Sequence, residues 1–595
     1  MSTPRTKKLM NAPEMIIPEM IEGMVGAHPD LLRVAGNTGR AIVAVDGPRP
    51  GKVGIVVGGG SGHEPAFAGY VGRGLADASA VGNVFASPSP EQILDAARAA
   101  DGGAGILFLY GNYSGDVMNF DMAMEELNAA GGQARSLAVT DDVASAPRDR
   151  WRERRGIAGD FFVFKVAGAA ADRMLGLDEV LRLAGRANDN TRTMGVALSA
   201  CSLPQTRRYN FEIGEDEMEI GMGIHGEPGI RRGPLETADQ VATALVEAVL
   251  ADLDLPRGSQ VAVLVNGLGS TALMELYLLH RTTKRILDER GITIHRSFVG
   301  EYATSLEMAG ASVTLLKLDD ELTSLLDHPC LTPALKVGAT AAGSVTGSAQ
   351  ASFAGAAAAP GGQDAPSSSR RLETGGDVTP AIFRQMMQSV GRTIIANKDW
   401  LSELDGVIGD GDHGITMEIG WTAVSKALDE ATADETIEST CKRMAKAFLD
   451  AVGASSGPLY ATAFLRAGTA VSDRLNLDAG ALAAWVGAAS RGIRDRGRSE
   501  PGDKTMVDAW VPAADRAQEA ASGGASTLDV MTAAVQGAEA GMNATAGIAA
   551  KRGRSAKLGE RSIGHIDPGA ASTFLTLRAM KEALESAVGS AGAGR

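Results

Sequence analysis

The stretch Val53-Gly-Ile-Val-Val57, which continues as Gly58-Gly-Gly-Ser-Gly-His-Glu-Pro65, decides the fold class of the first half of the chain. A short β-branched run that ends in a glycine-rich loop is typical of α/β domains, where functional loops follow the carboxyl ends of strands. The pattern recurs at residues 104–110 and 261–265, each before a glycine-rich loop. Residues 1–337 are therefore predicted to form an α/β domain. A change of pattern between about 203 and 251 indicates two α/β subdomains.

Residues 338–376 are rich in Gly, Ala, Ser and Pro and have no hydrophobic period. Such a segment buries too little apolar surface to order itself, so it is predicted to be a flexible linker. After it, apolar residues recur at three- and four-residue spacing from 381–404 through 570–588, and no convincing strand interrupts them. Residues 377–595 are predicted to form an all-α bundle or barrel of helices whose connecting loops converge at one end. The chain is thus multidomain.

The composition excludes several classes of protein. The formal net charge of −15, with no basic stripe, argues against a nucleic-acid partner. No apolar run approaches the roughly 20 residues that span a bilayer, and no secretory signal is evident. Three widely spaced cysteines predict neither a disulfide framework nor a zinc site. We therefore expect a cytoplasmic protein without a membrane partner.

Three aspartates, Asp405, Asp410 and Asp412, crowd into the run Leu404-Asp-Gly-Val-Ile-Gly-Asp-Gly-Asp-His-Gly414. Carboxylates at this spacing repel one another unless a cation lies between them. Three such carboxylates are suitable ligands for Mg²⁺, which often binds together with a phosphate group. An Asp/Gly turn between helices is the alternative. A calcium-binding EF-hand is disfavoured, because the twelfth residue counted from Asp405 is Thr416 and not glutamate.

Two further loops of this half have the chemistry of anion binding, residues 453–459 and 563–570. Both place small or hydroxyl-bearing residues before a helix, where free N–H groups attract phosphate, although a plain N-cap explains them equally well. Neither a Walker A sequence nor the protein-kinase signatures occur.

In the first half, His63 and His225 both lie in loops with Gly, Glu and Pro. A loop histidine is more often structural than catalytic, so their role stays open at this point. The loop at 58 does not match the dinucleotide fingerprint.

Together these motifs resemble the dihydroxyacetone kinase family, in the form that fuses a ketose-binding and a nucleotide-binding subunit. The resemblance rests on motifs at 58–65, 112–116, 223–229, 409–414 and 503–508, in the family's order, and covers nearly the whole chain outside the linker. It implies an ATP-dependent kinase that phosphorylates a terminal hydroxyl of a short-chain ketose. His225 would hold the ketose as a hemiaminal, and His63 and Asp116 would serve as acid and base. The implied substrate contacts are Gly60, Ser61, Gly62, His63, Gly111, Asp116 and His225.

The resemblance also assigns the helical half. Asp405, Asp410 and Asp412 would ligate Mg²⁺, in the form of paired ions, and the phosphoryl donor would be ATP. The implied nucleotide contacts are His413, Gly414, Ile415, Thr416, Ser455, Ser456, Gly497, Met506, Arg554, Asp567, Pro568 and Gly569. A homodimer is also implied.

Two positions depart from the family pattern in the ketose pocket. Phe67 stands where the family usually has histidine, and Gly111 where it usually has lysine. A smaller residue at 111 leaves room for a longer substrate, so a four-carbon ketose such as erythrulose is predicted to be at least as good a substrate as dihydroxyacetone. Two alternatives remain: an FAD-AMP lyase that forms cyclic FMN, and a ketose-sensing protein without catalysis.

Overall fold

A computed structural model describes residues 6–338, 375–409, 411–432 and 434–592. Residues 339–374 of the predicted linker, and the predicted metal ligand Asp410, lie outside the described residues. The first half is α/β and the second is helical, as the sequence predicted. None of the helices in the described part of the chain has the length and apolarity that a bilayer crossing requires. All three cysteines are buried and free.

The first sheet has six strands in the order β1-β2-β4-β3-β5-β6. Strands β3 to β6 pair in parallel, whereas β1 and β2 are antiparallel additions at one edge. The central strand β3 is buried along its whole length, which is why it carries Val, Ile and Gly without alternation. The strands are β1 (Leu32–Ala35), β2 (Ala41–Ala44), β3 (Gly54–Ser61), β4 (Ala78–Val84), β5 (Ile106–Gly111) and β6 (Ala134–Val139).

A second six-stranded sheet, in the order β11-β10-β12-β7-β8-β9, bears out the expectation of two α/β subdomains. Only β10 and β11 pair in parallel. The first strand of this sheet, β7, starts at Thr191, which is before the region 203–251 where the sequence pattern changes. This strand belongs to the second sheet because it pairs with β12. Its strands are β7 (Thr191–Ala197), β8 (Glu217–Ile220), β9 (Arg231–Pro234), β10 (Gln260–Gly267), β11 (Thr293–Gly300) and β12 (Gly310–Leu318), and a hairpin of β13 (Cys330–Leu331) and β14 (Lys336–Val337) follows.

Helices cover both sheets. Helices α2 and α3 pack on the outer face of the first sheet, and α6 and α7 on the outer face of the second. Helix α4 lies in the core that the two sheets share, which explains why nearly all of its residues are buried. The helices are α1 (Ile16–Ala27), α2 (Pro90–Ala100), α3 (Ser114–Ala129), α4 (Asp160–Asp172), α5 (Leu177–Asp189), α6 (Ala238–Asp252), α7 (Leu273–Glu289) and α8 (Asp320–Leu326), with 3₁₀ turns at Pro13–Met15, Ala68–Tyr70 and Arg148–Glu153.

The second half is a closed ring of helices. Neighbours pack in the order α9, α11, α12, α13, α14, α15, α16 and α17, and α17 returns to α9. Trp421, Trp485 and Phe448 are fully buried inside this ring. The helices are α9 (Pro380–Ala396), α10 (Lys398–Ile408), α11 (His413–Asp429), α12 (Ile437–Ala451), α13 (Ser456–Ala470), α14 (Ala479–Gly497), α15 (Val507–Ser522), α16 (Thr527–Ala544) and α17 (Pro568–Gly592), with 3₁₀ turns at Thr545–Gly547 and Arg554–Ser562.

The predicted helix 381–404 is two helices, because Asn397 leaves the helical conformation with φ −109° and ψ 13°. The second of them, α10, then carries Asp405 in its last turn. Asp405 is therefore helical, and only the residues after Ile408 form the loop that leads into α11.

The two halves contact each other through α2 and α3 on one side and α12 and α13 on the other. The side chain of Asn119 donates a hydrogen bond to the carbonyl oxygen of Gly453. Lys446 forms an ion pair with Glu91, with 3.1 Å between Nζ and Oε2. The backbone at Gly453 approaches so closely that a β-carbon there would lie 1.6 Å from the carbonyl oxygen of Ser87.

Candidate active site

Two histidines meet at the carboxyl end of β3. His63 follows this strand, and His225 lies in the loop after β8 of the other sheet. Their Nε2 atoms are 3.0 Å apart, and both side chains are buried. His63 Nδ1 is 2.8 Å from the carbonyl oxygen of Thr304, and His225 Nδ1 is 3.2 Å from Glu227 Oε1. The structure thus joins two of the predicted catalytic residues directly.

Aromatic rings fix the orientation of this pair. Phe85 stacks on His63 with ring centroids 5.0 Å apart and an interplanar angle of 13°. Tyr113 and Phe85 both meet the His225 ring edge to face, at 4.7 and 5.1 Å. Packing on several sides leaves the imidazoles little rotational freedom, so their nitrogen atoms stay aimed at each other.

The hydrogen bonds determine where the protons lie. A carbonyl oxygen only accepts, so His63 Nδ1 carries a proton and donates it to Thr304. Burial, followed by the neighbouring His225, lowers the pKa of His63 to about 3. His63 is therefore neutral near pH 7 and its Nε2 is an acceptor. The proton in the contact between the two rings then belongs to His225 Nε2.

The other predicted ketose contacts lie around this pair. Asp116 is buried in the first turn of α3, directly after β5, and lines the same cavity as His225 and Gly60. Ser61 and Gly62 are close by, but their polar groups are already engaged: Ser61 Oγ donates to the carbonyl oxygen of Gly82 over 2.8 Å, and the Gly62 N–H donates to Glu64.

The two departures from the family pattern differ in position. Gly111 is the buried last residue of β5, next to the Tyr113 ring. Among the described residues that line the cavity with His225, neither Gly111 nor Phe67 occurs. The Phe67 ring fills the space beside Gly59 and lies 6.0 Å from the ring of Phe164. A side chain at position 111 would contact the Tyr113 ring, which does line the cavity, so any effect of position 111 on substrate size would act through Tyr113.

Acidic side chains of the helical half face the same cavity. Asp405 Oδ2 accepts hydrogen bonds from the backbone N–H groups of Asp412 and His413, at 3.0 and 3.2 Å. Burial, followed by the carboxylate of Asp405, raises the pKa of Asp412 to about 7. Burial, with added repulsion from Asp405 and Asp508, also raises the pKa of Asp567 to about 7, against the hydrogen bond from the Ala570 N–H.

These carboxylates suit a divalent cation. They are buried oxygen donors that repel one another in the protein alone, and a hard cation between them removes that repulsion. In the described ranges, no three His, Cys, Asp or Glu side chains are already arranged as a metal site. The third predicted ligand, Asp410, lies outside those ranges. The donor set therefore fits Mg²⁺ in chemistry, with Asp405 and Asp412 as its described members.

The loops predicted to hold the nucleotide converge on this end of the helical ring. His413, at the start of α11, places Nε2 3.0 Å from Ser572 Oγ. Gly414 allows a close approach, because a β-carbon there would lie 1.9 Å from the carbonyl oxygen of Lys398. Ile415 lines an adjoining pocket that also contains His225. The side chain of Arg554 lies outside the described residues. The remaining predicted contacts all line the cavity: Thr416, Ser455, Ser456, Gly497, Met506, Asp567, Pro568 and Gly569.

Some residues of the site were not predicted. Lys504 lines the cavity, and its buried ammonium donates to the carbonyl oxygens of Thr545 and His565 over 2.6 and 2.5 Å. It belongs to the quoted motif 503–508, so the sequence did carry a signal for it. Tyr113 likewise lies inside the quoted motif 112–116. Thr304 and Glu227 position the two histidines, and Thr304 reaches them only through the fold.

Both halves line a single cavity of about 390 Å³. Its wall includes His225 and Asp116 from the α/β half and Asp405 and Asp412 from the helical half. The sequence analysis left open how the two groups of residues lie relative to each other. The structure places them around one space.

Family models match both halves of the chain: the Dak1 domain over residues 22–334 and the DAK2 domain over residues 407–582. The chain belongs to the dihydroxyacetone kinase family. An L-erythrulose kinase of Pectobacterium atrosepticum is 39% identical over 584 residues, which is 97% of this chain and 96% of that protein. A D-erythrulose kinase of Mycolicibacterium smegmatis is 39% identical over 576 residues, 97% of this chain and 98% of that protein.

A solved structure extends the similarity to the fold. The dihydroxyacetone kinase from C. freundii, in complex with AMP-PNP and Mg²⁺, is 27% identical, with a TM-score of 0.52 over 97% of this chain and 99% of that one. The chain is thus a dihydroxyacetone kinase homologue in the fused form, and a phosphotransferase with an alcohol group as acceptor. These findings confirm the predicted family, fold class and kinase activity.

Proposed function

We propose that this chain transfers the γ-phosphoryl group of ATP to a terminal hydroxyl of a short-chain ketose held as a hemiaminal on His225. The main support is that His225 and Asp116 share one cavity with Asp405 and Asp412. A ketose hydroxyl held at His225 and Asp116 would therefore lie next to a polyphosphate held at Asp405 and Asp412. Mg²⁺ and ATP are proposed because the acidic donors fit the cation and the similar C. freundii structure holds AMP-PNP with Mg²⁺.

The first step is the capture of the ketone. His225 starts with a proton on both ring nitrogens, Nε2–H donating to His63 Nε2 at 3.0 Å and Nδ1–H donating to Glu227. His63 takes the Nε2 proton, and the lone pair that this frees on Nε2 adds to the carbonyl carbon. The π electrons of the carbonyl bond move to its oxygen. Because burial lowers the pKa of His63, its protonated form holds the proton weakly and passes it to this oxygen. The product has a hemiaminal hydroxyl on a new carbon–nitrogen bond, and the His225 ring keeps its Nδ1 proton and its positive charge beside Glu227.

The capture explains the choice of substrate class. Glycerol has no electrophilic carbon, so His225 forms no bond with it, whereas any ketose with a reachable carbonyl is held. Glu227 accepts on the Nδ1 side of His225 and fixes the plane of the ring. The nucleophile is therefore oriented before the substrate arrives, which lowers the entropy cost of the attack.

The second step is the phosphoryl transfer. Asp116 in the first turn of α3 is proposed to accept the proton of the attacking terminal hydroxyl. In the helical half, Asp405, Asp410 and Asp412 would hold Mg²⁺, which neutralises phosphate charge in such reactions. The buried ammonium of Lys504 adds a fixed positive group on the same wall. Positioning and charge are most of what this reaction requires, so no phosphorylated enzyme is invoked.

A four-carbon ketose is the proposed preferred substrate. The support is that the two similar proteins named above are both erythrulose kinases. A homodimer and a second Mg²⁺ ion are proposed on the family resemblance, and a cytoplasmic location on the composition.

The test combines activity with a direct observation of the adduct. ADP release would be measured with ATP, Mg²⁺ and, in turn, dihydroxyacetone, D-erythrulose, L-erythrulose and glycerol. Intact-mass spectrometry without ATP would follow addition of each sugar to the wild type and to His225→Gln. We expect ketose-dependent ADP release, no release with glycerol, and an adduct that disappears in the variant. Equal rates with glycerol, or an adduct that persists in the variant, would refute the mechanism.

A further inference from the structure

Arg155 is a buried arginine close to the ketose-binding histidines, and the mechanism above does not use it. Its side chain is 3% exposed. Nε donates a hydrogen bond to Asp142 Oδ2 over 2.7 Å, and Nη2 donates to the carbonyl oxygen of Gly221 over 3.2 Å. In the part of the chain that the structure describes, the third nitrogen of the guanidinium, Nη1, makes no hydrogen bond. Buried donors are almost always paired, so the surroundings of Nη1 need an explanation.

Nη1 lies next to the carboxylate that holds the proposed nucleophile. It is 3.5 Å from Glu227 Oε2, which is an ion-pair distance and longer than a good hydrogen bond. Glu227 is buried as well, and both of its carboxylate oxygens contact His225. Oε2 accepts a hydrogen bond from the His225 backbone N–H over 3.0 Å, and Oε1 lies 3.2 Å from Nδ1. Only the Glu227 carboxylate therefore lies between the guanidinium and the imidazole in this series of contacts.

A glycine makes the contact between Arg155 and Glu227 possible. A β-carbon on Gly223 would lie 2.1 Å from Glu227 Oε2 and 2.2 Å from Arg155 Nη1. Any side chain at this position would therefore displace the carboxylate or the guanidinium. Gly223 belongs to the quoted motif 223–229, which also contains His225 and Glu227. The loop that carries the nucleophile thus leaves room for the Arg155 side chain.

The charges in this series of contacts support one another. Burial lowers the pKa of Arg155, but attraction to Asp142 and then to Glu227 outweighs burial and raises this pKa. The guanidinium therefore stays charged. A cation at this distance stabilises a buried carboxylate and restricts where it lies. Because Asp142 and the Gly221 carbonyl fix the guanidinium, its position is transmitted to Glu227.

We propose that Arg155 is a positioning residue for ketose capture: it holds the Glu227 carboxylate against the backbone N–H and Nδ1 of His225, which aims Nε2 at the ketone. The inference rests on the proposed function, since it concerns the same nucleophile. Arg155 is absent from the described residues that line the ketose cavity, so it acts through Glu227 and not on the substrate. A small displacement of a reacting group is costly, because the attack needs a narrow range of geometries.

The key variant is Arg155→Lys. It keeps the positive charge beside Asp142 but replaces the planar fork with one ammonium, which cannot hold both carboxylates in the same geometry. We expect KM for the ketose to rise about tenfold, and the fraction of His225 adduct at a fixed subsaturating ketose concentration, measured by intact mass without ATP, to fall in parallel. At saturating ketose, kcat should change less than about twofold and KM for ATP should not change, because the phosphoryl transfer uses other groups.

Arg154→Lys is the matched control. Arg154 is the preceding residue and its side chain is 2% exposed, but its fork binds Asp252 at the end of α6, over 2.8 and 2.7 Å, and not Glu227. This variant should lower the melting temperature about as much as Arg155→Lys and leave KM for the ketose unchanged. An equal rise of KM in both variants would show that loss of a buried fork is the cause, and it would overturn the positioning role.

A double-mutant cycle with Glu227→Gln tests the route of the effect. If Arg155 acts through the carboxylate, Arg155→Lys should raise KM for the ketose no further in the Glu227→Gln background. Effects of the two substitutions that multiply would overturn the proposal. If Glu227→Gln is inactive, the comparison of Arg155→Lys with Arg154→Lys decides.

The outcomes separate this inference from the proposed function. A wild type that phosphorylates no ketose overturns the proposed function and the positioning role with it. A wild type that phosphorylates a ketose, with an unchanged ketose KM in Arg155→Lys, overturns the positioning role alone. If Arg155→Lys does not fold, the double variant Asp142→Asn with Arg155→Met removes the buried pair together and is judged by the same rise in ketose KM.

Discussion

The closed contact between the two halves can be broken by one methyl group. A β-carbon at Gly453 would meet the carbonyl oxygen of Ser87 at 1.6 Å and its carbonyl carbon at 2.8 Å, and both atoms belong to the α/β half. No atom of the helical half is among the three nearest to this point. The variant Gly453→Ala should therefore leave each half folded and prevent them from closing on each other.

The size of the effect follows from the overlap. Carbon and oxygen atoms in ordinary contact lie more than 3 Å apart, so the halves must separate by about 1.5 Å at this point, and a misplacement of about 1 Å costs on the order of 100-fold in rate. We expect kcat to fall at least 100-fold. The mass adduct of the ketose on His225 and nucleotide binding by the helical half should persist, because neither site needs the closure to form.

The assay is ADP release at saturating ketose and ATP, with thermal unfolding measured in parallel. Gly185→Ala is the matched control: this position lies in α5 and no atom lies within 4 Å of its added β-carbon. A Gly453→Ala enzyme with wild-type turnover would show that the two halves do not meet at this contact during the reaction, and the cavity shared by His225 and Asp405 would lose its significance for catalysis.

Three further predictions concern single side chains. Asp405→Asn should lower ADP release by about 10³-fold, since it removes the charge that would hold Mg²⁺. The ketose adduct on His225 should remain detectable in this variant. Loss of both ADP release and the adduct would indicate misfolding instead. Lys504→Met should destabilise the helical half by about 3 kcal/mol in chemical denaturation, because the carbonyl oxygens of Thr545 and His565 lose their buried donor. Lys551→Met, at an exposed position, is the control and should leave the stability unchanged. Equal unfolding midpoints for the two variants would contradict the assigned contacts. Burial lowers the pKa of His63 from 6.5 to about 3, so between these pH values the unfolded chain binds a proton that the folded chain does not. The free energy of unfolding should therefore fall as the pH drops from 6.5 towards 3, with a slope up to about 1.4 kcal/mol per pH unit greater than that of His63→Asn. Parallel slopes for the two proteins would show that His63 titrates normally.

Much of the fold was predictable because local patterns carry it. The buried β3 and the amphipathic helices of the second half are visible as β-branched runs and as three- and four-residue spacing. The break at Asn397 was missed, since apolar spacing continues across it and a single residue in a non-helical conformation leaves no periodic signal. The sequence did not locate the start of the second sheet, because strand β7 looks the same in sequence whichever sheet it joins.

The candidate site was predictable to the extent that its residues lie inside glycine-rich motifs. His63, His225, Asp116 and Asp405 were named from such motifs. Whether Ser61 and Gly62 would face a substrate could not be read from the sequence, because their polar groups are engaged by Gly82 and Glu64 through the turn geometry.

By itself, the sequence determined the elements, the two-part architecture and the residue types that carry the chemistry, since each depends on neighbours a few positions away. Only the tertiary structure decided which of these residues meet. His63 contacts a histidine 162 positions away and a carbonyl group 241 positions away, and the helical half supplies its acids to the same cavity. Contacts over such separations arise from the packing of two sheets and a helical ring, and no local spacing encodes that packing.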